Sequence, residues 1–202
     1  MKTIFIPVKI KTIISKSQLS DMSKRLPKNI AIAYSIQYID MAKEIKSILT
    51  KKHNITKFIQ VLGCSKPRFS KNTSAILLIG DGRFHAISLA YGTKLPVYIY
   101  RTKLERILPK DIDVLKRNQK AAYMRFLNAN KVGVLISTKP GQENLKKAIG
   151  LKKKLKKNSY LFITNNIDTR EFENFGLDSW VNTACPRLDM NDNSVVNMNK
   201  VQ

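Results

Sequence analysis

Cysteine is nearly absent from this chain, with two in 202 residues. They stand far apart, in "VLGCSKPRF" and "VNTACPRLD", which excludes a CxxC knuckle or redox pair. Acidic side chains are also scarce: Asp and Glu total 14 against 37 Lys and Arg, a formal charge of +23. No run approaches the roughly 18 to 20 apolar residues that a membrane helix requires. The opening "MKTIFIPVKI" lacks the long apolar core and small-residue cleavage site of a secretory leader. A cytoplasmic location is the resulting expectation. In such a reducing compartment two distant cysteines read as free thiols or metal ligands rather than as a disulfide. A phosphate-binding loop of the GxxxxGK type is missing. So is the alternation of aromatic and basic residues that stacks single-stranded nucleic acid.

What is present supports a folded core. The chain is 43% hydrophobic and 8% aromatic, enough to exclude wholesale disorder. Lysine is spread along its length, and the one dense cluster, "LKKKLKKN" at 151–158, has the spacing of a solvated helix face. A chain this basic also leaves open an acidic protein or nucleic acid as partner.

Short β-type runs alternate with longer amphipathic stretches. "TIFIPVKI", "NIAIAYS", "KFIQVLG", "AILLIG", "LPVYIY", "VGVLIS", "YLFITN" and "SWVNTA" read as strands. "SKSQLSDMSKRL", "QYIDMAKEIKSILTKK", "RFHAISLAYG" up to Gly92, residues 111–130, "GQENLKKAIGLKKKLKK" from near Pro140, and "DTREFENF" read as helices. From about Asn191 the chain reads as a polar, frayed tail. The alternation predicts an α/β fold: two similar three-layer α/β domains with mainly parallel sheets. Their expected extents are 1–104 and 105–192, followed by the tail 193–202.

In such sheets binding sites form beyond the carboxyl ends of the strands. Four unusual segments fall there: "GCSKPR", "GDGRFH", "STKPGQ" and "ACPRLD". Gly80 and Gly82 can expose backbone N–H groups beside Asp81, with Arg83 available to a carboxylate or phosphate. A helix starting near Pro140 would offer its positive end to an anion, aided by Ser137, Thr138 and Gln142. Against this stand plainer readings: a tight glycine turn, a helix with proline in its first turn, surface ion pairs for Arg68 and Arg187, and a packed or capping His85. Cys64 and Cys185 taken alone read as small buried hydrophobes, and Trp180 as a core residue.

Taken together, the motifs are more specific. "VLGCSKPRFSKNTSAILLIGDGRFHAISLAYGTKLPVYIY", "GVLISTKPGQENLKKAIGLKKKL" and "FGLDSWVNTACPRLDMND" resemble the catalytic subunit of diphthamide synthase, the 2-(3-amino-3-carboxypropyl)histidine synthase family, and its archaeal members most. The resemblance runs from about residue 1 to about residue 192. It implies transfer of a 3-amino-3-carboxypropyl group from S-adenosylmethionine to a histidine of elongation factor 2, the first step of diphthamide synthesis. It implies a 4Fe–4S cluster held by three cysteines, one from each of three α/β domains, whose electron breaks the bond from sulfur to the γ-carbon. The resulting radical adds to the imidazole C2.

Carried onto this chain, the resemblance implies Cys64 and Cys185 as cluster ligands. Gly80, Asp81, Gly82, Arg83, His85, Ser137, Thr138, Gln142 and Arg187 are the candidate substrate-binding residues, with Arg68 on the same edge. It further implies a dimer. The two cysteines correspond to the second and third domains of the family. A third thiolate would come from a separately encoded first domain or a full-length relative. Two alternatives stay open: a non-catalytic subunit supporting such a relative, and a basic RNA- or ribosome-binding module, although nucleic acid is the weaker expectation.

Overall fold

The computed structural model describes residues 4, 6, 8–11 and 14–201, apart from the side chains of 190 and 191. The chain is a mixed α/β protein that divides into two compact units, Met1–Ile112 and Asp113–Gln202.

In the first unit, α1 (Lys16–Arg25) starts at Ser15. The Ser15 hydroxyl accepts from the Gln18 backbone N–H, and the Gln18 side chain accepts in return from the Ser15 N–H, a reciprocal cap. Next come β1 (Asn29–Tyr34), a short 3₁₀ turn, α2 (Ile39–Leu49), β2 (Asn54–Gln60), β3 (Ala75–Ile79), α3 (Arg83–Thr93), β4 (Val97–Tyr100) and β5 (Leu104–Arg106). The sheet order is β2-β1-β3-β4-β5, parallel except for the β4/β5 pair. The nearly continuous apolar runs of β1 and β3 follow from burial on both faces. Ile30, Ile32, Leu77 and Ile79 pack with Met22 of α1 and Met41 and Ile45 of α2. Ala31, Ala33, Ile76 and Leu78 pack on the other face with Ala86, Leu89 and Ala90 of α3.

The second unit carries most of α4 (Pro109–Asn128), then β6 (Lys131–Ser137), α5 (Leu145–Lys154), β7 (Asn158–Thr164), a 3₁₀ segment at Thr169–Phe175, β8 (Ser179–Asn182), α6 (Leu188–Asn191) and β9 (Val195–Asn197). Its sheet runs β7-β6-β8-β9, all parallel. Val132, Val134, Ile136 and Val181 face α4 and α5. Leu135, Trp180 and Val195 face Phe172 of the 3₁₀ segment.

Several expectations need correction. Thr3, Phe5 and Pro7 of "TIFIPVKI" lie outside the described residues. Ile4, Ile6 and Val8 are exposed and in no strand, with Ile4 at 84%. The helix expected near Pro140 begins five residues later, at Leu145. Gly141 instead sits at φ +77 in a turn closed by the Gln142 N–H to the Lys139 carbonyl. The α3 helix ends not at Gly92 but at Thr93, where Lys94 takes the left-handed cap at φ 59. β5 was not foreseen; its neighbour Ile107 packs into the first unit's core, so contacts divide the chain beyond the expected 104/105 boundary. The tail read as frayed instead supplies the edge strand β9, whose Val195 and Val196 are almost wholly buried.

Candidate functional site

In each unit the chain leaves the central strand, β1 or β6, to add one neighbour and then crosses to the other side. This creates a switch point at the carboxyl edge. Three of the four unusual loops directly follow a strand at these edges, and the cysteine loop of the first unit follows β2 there.

In the first unit, Cys64 is exposed and free. Its loop is held locally by the Leu62 N–H donating to Ser65 Oγ (2.7 Å) and the Ser65 N–H donating to the Leu62 carbonyl (3.0 Å). Gly63 is required by close approach, because a Cβ there would run into the ring of Phe84 at the start of α3. The cysteine loop and the "GDGRFH" segment therefore lie against one another. Gly80 packs by the Ser35 hydroxyl after β1, where an added Cβ would sit 3.0 Å from Oγ, and Gly82 packs by His85 Nδ1. The His85 ring also lies 5.2 Å from that of Phe84, centroid to centroid.

A pocket of about 280 Å³ opens beside these glycines. Asp81, Arg83 and the β4/β5 connection with Arg101, Thr102, Lys103 and Glu105 line it. Its charges are mutually paired: Arg83 with Asp111 (2.9 Å) and Glu105 (3.4 Å), and Arg101 with Asp81 (2.9 Å). Arg83 is thus engaged with carboxylates rather than standing free for a ligand, as the sequence reading had it. Burial, with the Asp81 carboxylate nearby, pushes the Tyr38 phenol up from its ordinary range.

In the second unit, Cys185 is half-buried and free. Strand β8 ends three residues before it. Asn182 Nδ2 donates to the Cys185 carbonyl (2.7 Å) and to Asn197 Oδ1 (2.6 Å), while Asn182 Oδ1 accepts from the Ala184 N–H (2.9 Å). Asn197 Nδ2 donates to the Pro186 carbonyl (3.0 Å). Thr183 Oγ1 donates to the Leu135 carbonyl (2.7 Å), and Asn144, at the start of α5, donates to the Thr183 carbonyl (2.8 Å). Gln119 of α4 donates to the buried Asp189 carboxylate (3.0 Å) and accepts from Lys200 (2.7 Å). Burial raises the Asp189 carboxyl to about 6, with Lys200 and the Gln119 and Asn197 bonds pulling the other way.

The remaining candidates sort unevenly. Ser137 is buried. Its hydroxyl donates to the Asn165 carbonyl (3.3 Å) and accepts from the Lys139 N–H (3.2 Å), so it shapes its own loop. Thr138 lies 3.5 Å from Asn165 Oδ1 and is exposed, and Gln142 is half-buried in the turn. Arg68 and Arg187 are exposed on their respective cysteine loops. The sequence reading missed Asn144, Asn182, Asn197, Gln119 and Asp189. The available signal was the matched ending of two apolar runs, "SWVN" and "SVVN". Their asparagines are register partners on β8 and β9.

Fold and site together define a class: parallel α/β units with a free thiol in a loop at the carboxyl edge of each sheet. Residues 1–195 match the family described as "Putative diphthamide synthesis protein", and the chain belongs to that family. It is 28% identical to the 2-(3-amino-3-carboxypropyl)histidine synthase of Pyrococcus horikoshii over 94% of this chain and 60% of that protein. The synthase of Methanocaldococcus jannaschii is 27% identical over 82% of this chain and 47% of that protein. The crystal structure of Dph2 from Pyrococcus horikoshii with a 4Fe–4S cluster superposes with a TM-score of 0.74. It is 27% identical, covering 92% of this chain and 59% of that one. The chain thus spans about half to three fifths of the length of these relatives.

Proposed function

We propose that this chain is part of a synthase that transfers the 3-amino-3-carboxypropyl group of S-adenosylmethionine to a histidine of elongation factor 2, with Cys64 and Cys185 as two ligands of a 4Fe–4S cluster. The observation that carries the reading is the placement of both cysteines. Each is unpaired and lies in a loop beyond the carboxyl edge of a parallel sheet, in a chain whose family match spans 1–195. Thiolates are the fitting donors for iron–sulfur centres. Among the described residues no group of three His, Cys, Asp or Glu is assembled for a metal, so a three-thiolate site needs a ligand from outside these 202 residues.

When bound, the cluster would supply the electron for cleaving the sulfonium bond. The chain's own residues have other tasks. The second unit holds the backbone around Cys185 through Asn182 and Asn197. The first unit presents Gly80 to Arg83 at the pocket, where the zwitterionic methionine end of the substrate would exchange with the Arg83 and Arg101 ion pairs. His85, Ser137, Thr138, Gln142 and Arg187 complete the proposed substrate-facing set, and Arg68 flanks Cys64. The assembled enzyme is cytoplasmic and dimeric in this reading.

The test is anaerobic iron and sulfide reconstitution of the chain together with a polypeptide carrying the third cysteine. Expected are a brown complex and a reduced-cluster paramagnetic resonance signal that changes on adding S-adenosylmethionine. Cys64→Ser and Cys185→Ser should each remove most of that signal. Retention of full iron content and an unchanged signal in both variants rejects the reading.

A second reading has one observation in its favour: the chain spans 60% or less of these relatives, and several eukaryotic relatives are named subunit 1 of the synthase. In that case the chain supports a full-length relative without ligating the cluster. Full activity of the assembled enzyme after both cysteine substitutions selects this reading over the first.

A further inference from the structure

We propose that Asn182 and Asn197 are positioning residues for Cys185, forming with Gln119 and Asp189 a buried amide clamp that fixes the direction of its thiol before any cluster arrives. The proposal rests on the reading of Cys185 as a ligand, but its main measurement does not.

The clamp stands out by how completely its polar capacity is used. A side-chain amide has two donor hydrogens and one carbonyl acceptor. Asn182 spends both hydrogens, on the Cys185 carbonyl and on Asn197 Oδ1, and its own oxygen accepts from the Ala184 N–H. Asn197 spends its oxygen on Asn182, one hydrogen on the Pro186 carbonyl, and bonds Asp189 as well. Asp189 in turn is held by Gln119. Backbone groups of three consecutive residues, Ala184, Cys185 and Pro186, are therefore bonded by two asparagines.

Both asparagines are at least nine-tenths buried, Asn182 at 2% exposure and Asn197 at 9%. Burying two amides and a carboxylate costs free energy that an apolar pair would not. They sit at the last positions of β8 and β9 as register partners, so the sheet itself sets their spacing. The Cys185 carbonyl also accepts from the Leu188 N–H (3.2 Å), which closes the turn into α6. The result is a cysteine whose backbone has little freedom on either side. That is the property a ligand needs if its sulfur must meet a preset position. Cys64 has no such buried network among the described residues: the Leu62 and Ser65 bonds close its loop, Lys57 Nζ donates to the Arg68 carbonyl (2.6 Å), and the cysteine is exposed.

The experiment uses the full chain in its folded, cluster-free form. Alkylation of Cys185 by iodoacetamide at constant pH is followed by peptide mass spectrometry, with Cys64 in the other unit as internal reference. Asn197→Ala and the near-isosteric Asn182→Asp, which keeps the acceptor but loses both donors, should raise the Cys185 rate roughly tenfold and leave Cys64 unchanged. If either variant does not fold, Gln119→Ala loosens the clamp from its far end and should raise the Cys185 rate by a smaller factor. An unchanged Cys185 rate in folded variants overturns the proposal, as does a rise shared equally by Cys64, which marks general loosening.

A second readout uses the reconstituted complex. The variants should bind iron but give a broadened or shifted resonance signal, and identical spectra count against the clamp. Should the wild-type complex take up no cluster at all, the reading of Cys185 as a ligand fails, while the alkylation result still decides the clamp.

Discussion

Two single residues show how tightly the second unit is specified. Gly133 on β6 is the register partner of Trp180 on β8, and a Cβ at Gly133 would overlap the indole six-membered ring. Trp180 is 2% exposed and stacks on Phe172 with centroids 4.1 Å apart, so it has little room to yield. Gly133→Ala should cost about 1 to 3 kcal/mol. Trp180 is the single tryptophan, so its fluorescence in a urea titration reads the loss directly. A midpoint equal to wild type would show that the ring moves freely.

Asp189 is the second case. Its folded carboxyl titrates at about 6, above the ordinary 3.8, chiefly because burial disfavours the charge. A raised folded value means the folded chain binds the extra proton between about pH 4 and 6. This group's contribution is therefore most favourable below about pH 4 and is lost as pH rises through 6. At pH 8 the buried carboxylate costs at most on the order of 3 kcal/mol. Asp189→Asn keeps the shape and removes the charge. It should be more stable than wild type at pH 8, with the gap closing towards pH 4.5, as urea midpoints at the two pH values will show. A variant less stable at pH 8 would mean that the bonds from Gln119 and Asn197 and the nearby Lys200 charge outweigh desolvation.

At the scale of elements, β9 was the least visible part of the fold and has one of the clearest roles. Three residues suffice because β8 supplies a parallel ladder and Val195 drops onto the Trp180 side of the sheet. Val195→Ala should cost about 1 to 3 kcal/mol by cavity formation and lost burial. The Trp180 urea transition measures it, and no shift would mean that β9 is not held in solution. Strands β1–β4 and β6–β8 were legible as short apolar runs, most plainly "AILLI" and "VGVLIS", whose continuous apolar character suits burial on both faces. β9 was hidden by its polar surroundings: Asn193 and Asn199 are exposed, Asp192 accepts from Ser194, and Asn197 serves the cysteine loop. The helix expected at Pro140 starts later because proline fits a helix's first turn and a tight turn alike, while Gly141 in the left-handed region fits only the turn. Asn144, which ties α5 to the Thr183 carbonyl, is where the helix begins. The glycines and cysteines of the site were legible as residue types at strand ends. The arginine pairing was not, since the partners of Arg83, Glu105 and Asp111, come from β5 and α4, which no spacing rule connects to "GDGR".

For the whole molecule the dominant quantity is charge. At least seven basic side chains among the described residues pair with carboxylates, and those seven are all at least partly exposed. Lys146, Lys147, Lys152, Lys153, Lys154 and Lys156, along α5 and just beyond it, are exposed and take part in none of these ion pairs among the described residues. At +23 the folded state carries a self-repulsion that solvent ions relieve. Raising salt from about 20 mM to about 300 mM shortens the screening length from about 20 Å to about 6 Å. The thermal midpoint should therefore rise with salt, and Lys153→Glu should raise it at low salt by an amount that fades at high salt. A salt series by calorimetry on both proteins checks this. A midpoint that falls with salt would mean that the few ion pairs outweigh the many unpaired lysines. The same charge would then have to be explained by what it attracts, and an acidic partner should bind the low-salt form faster, with an association rate that declines along the series.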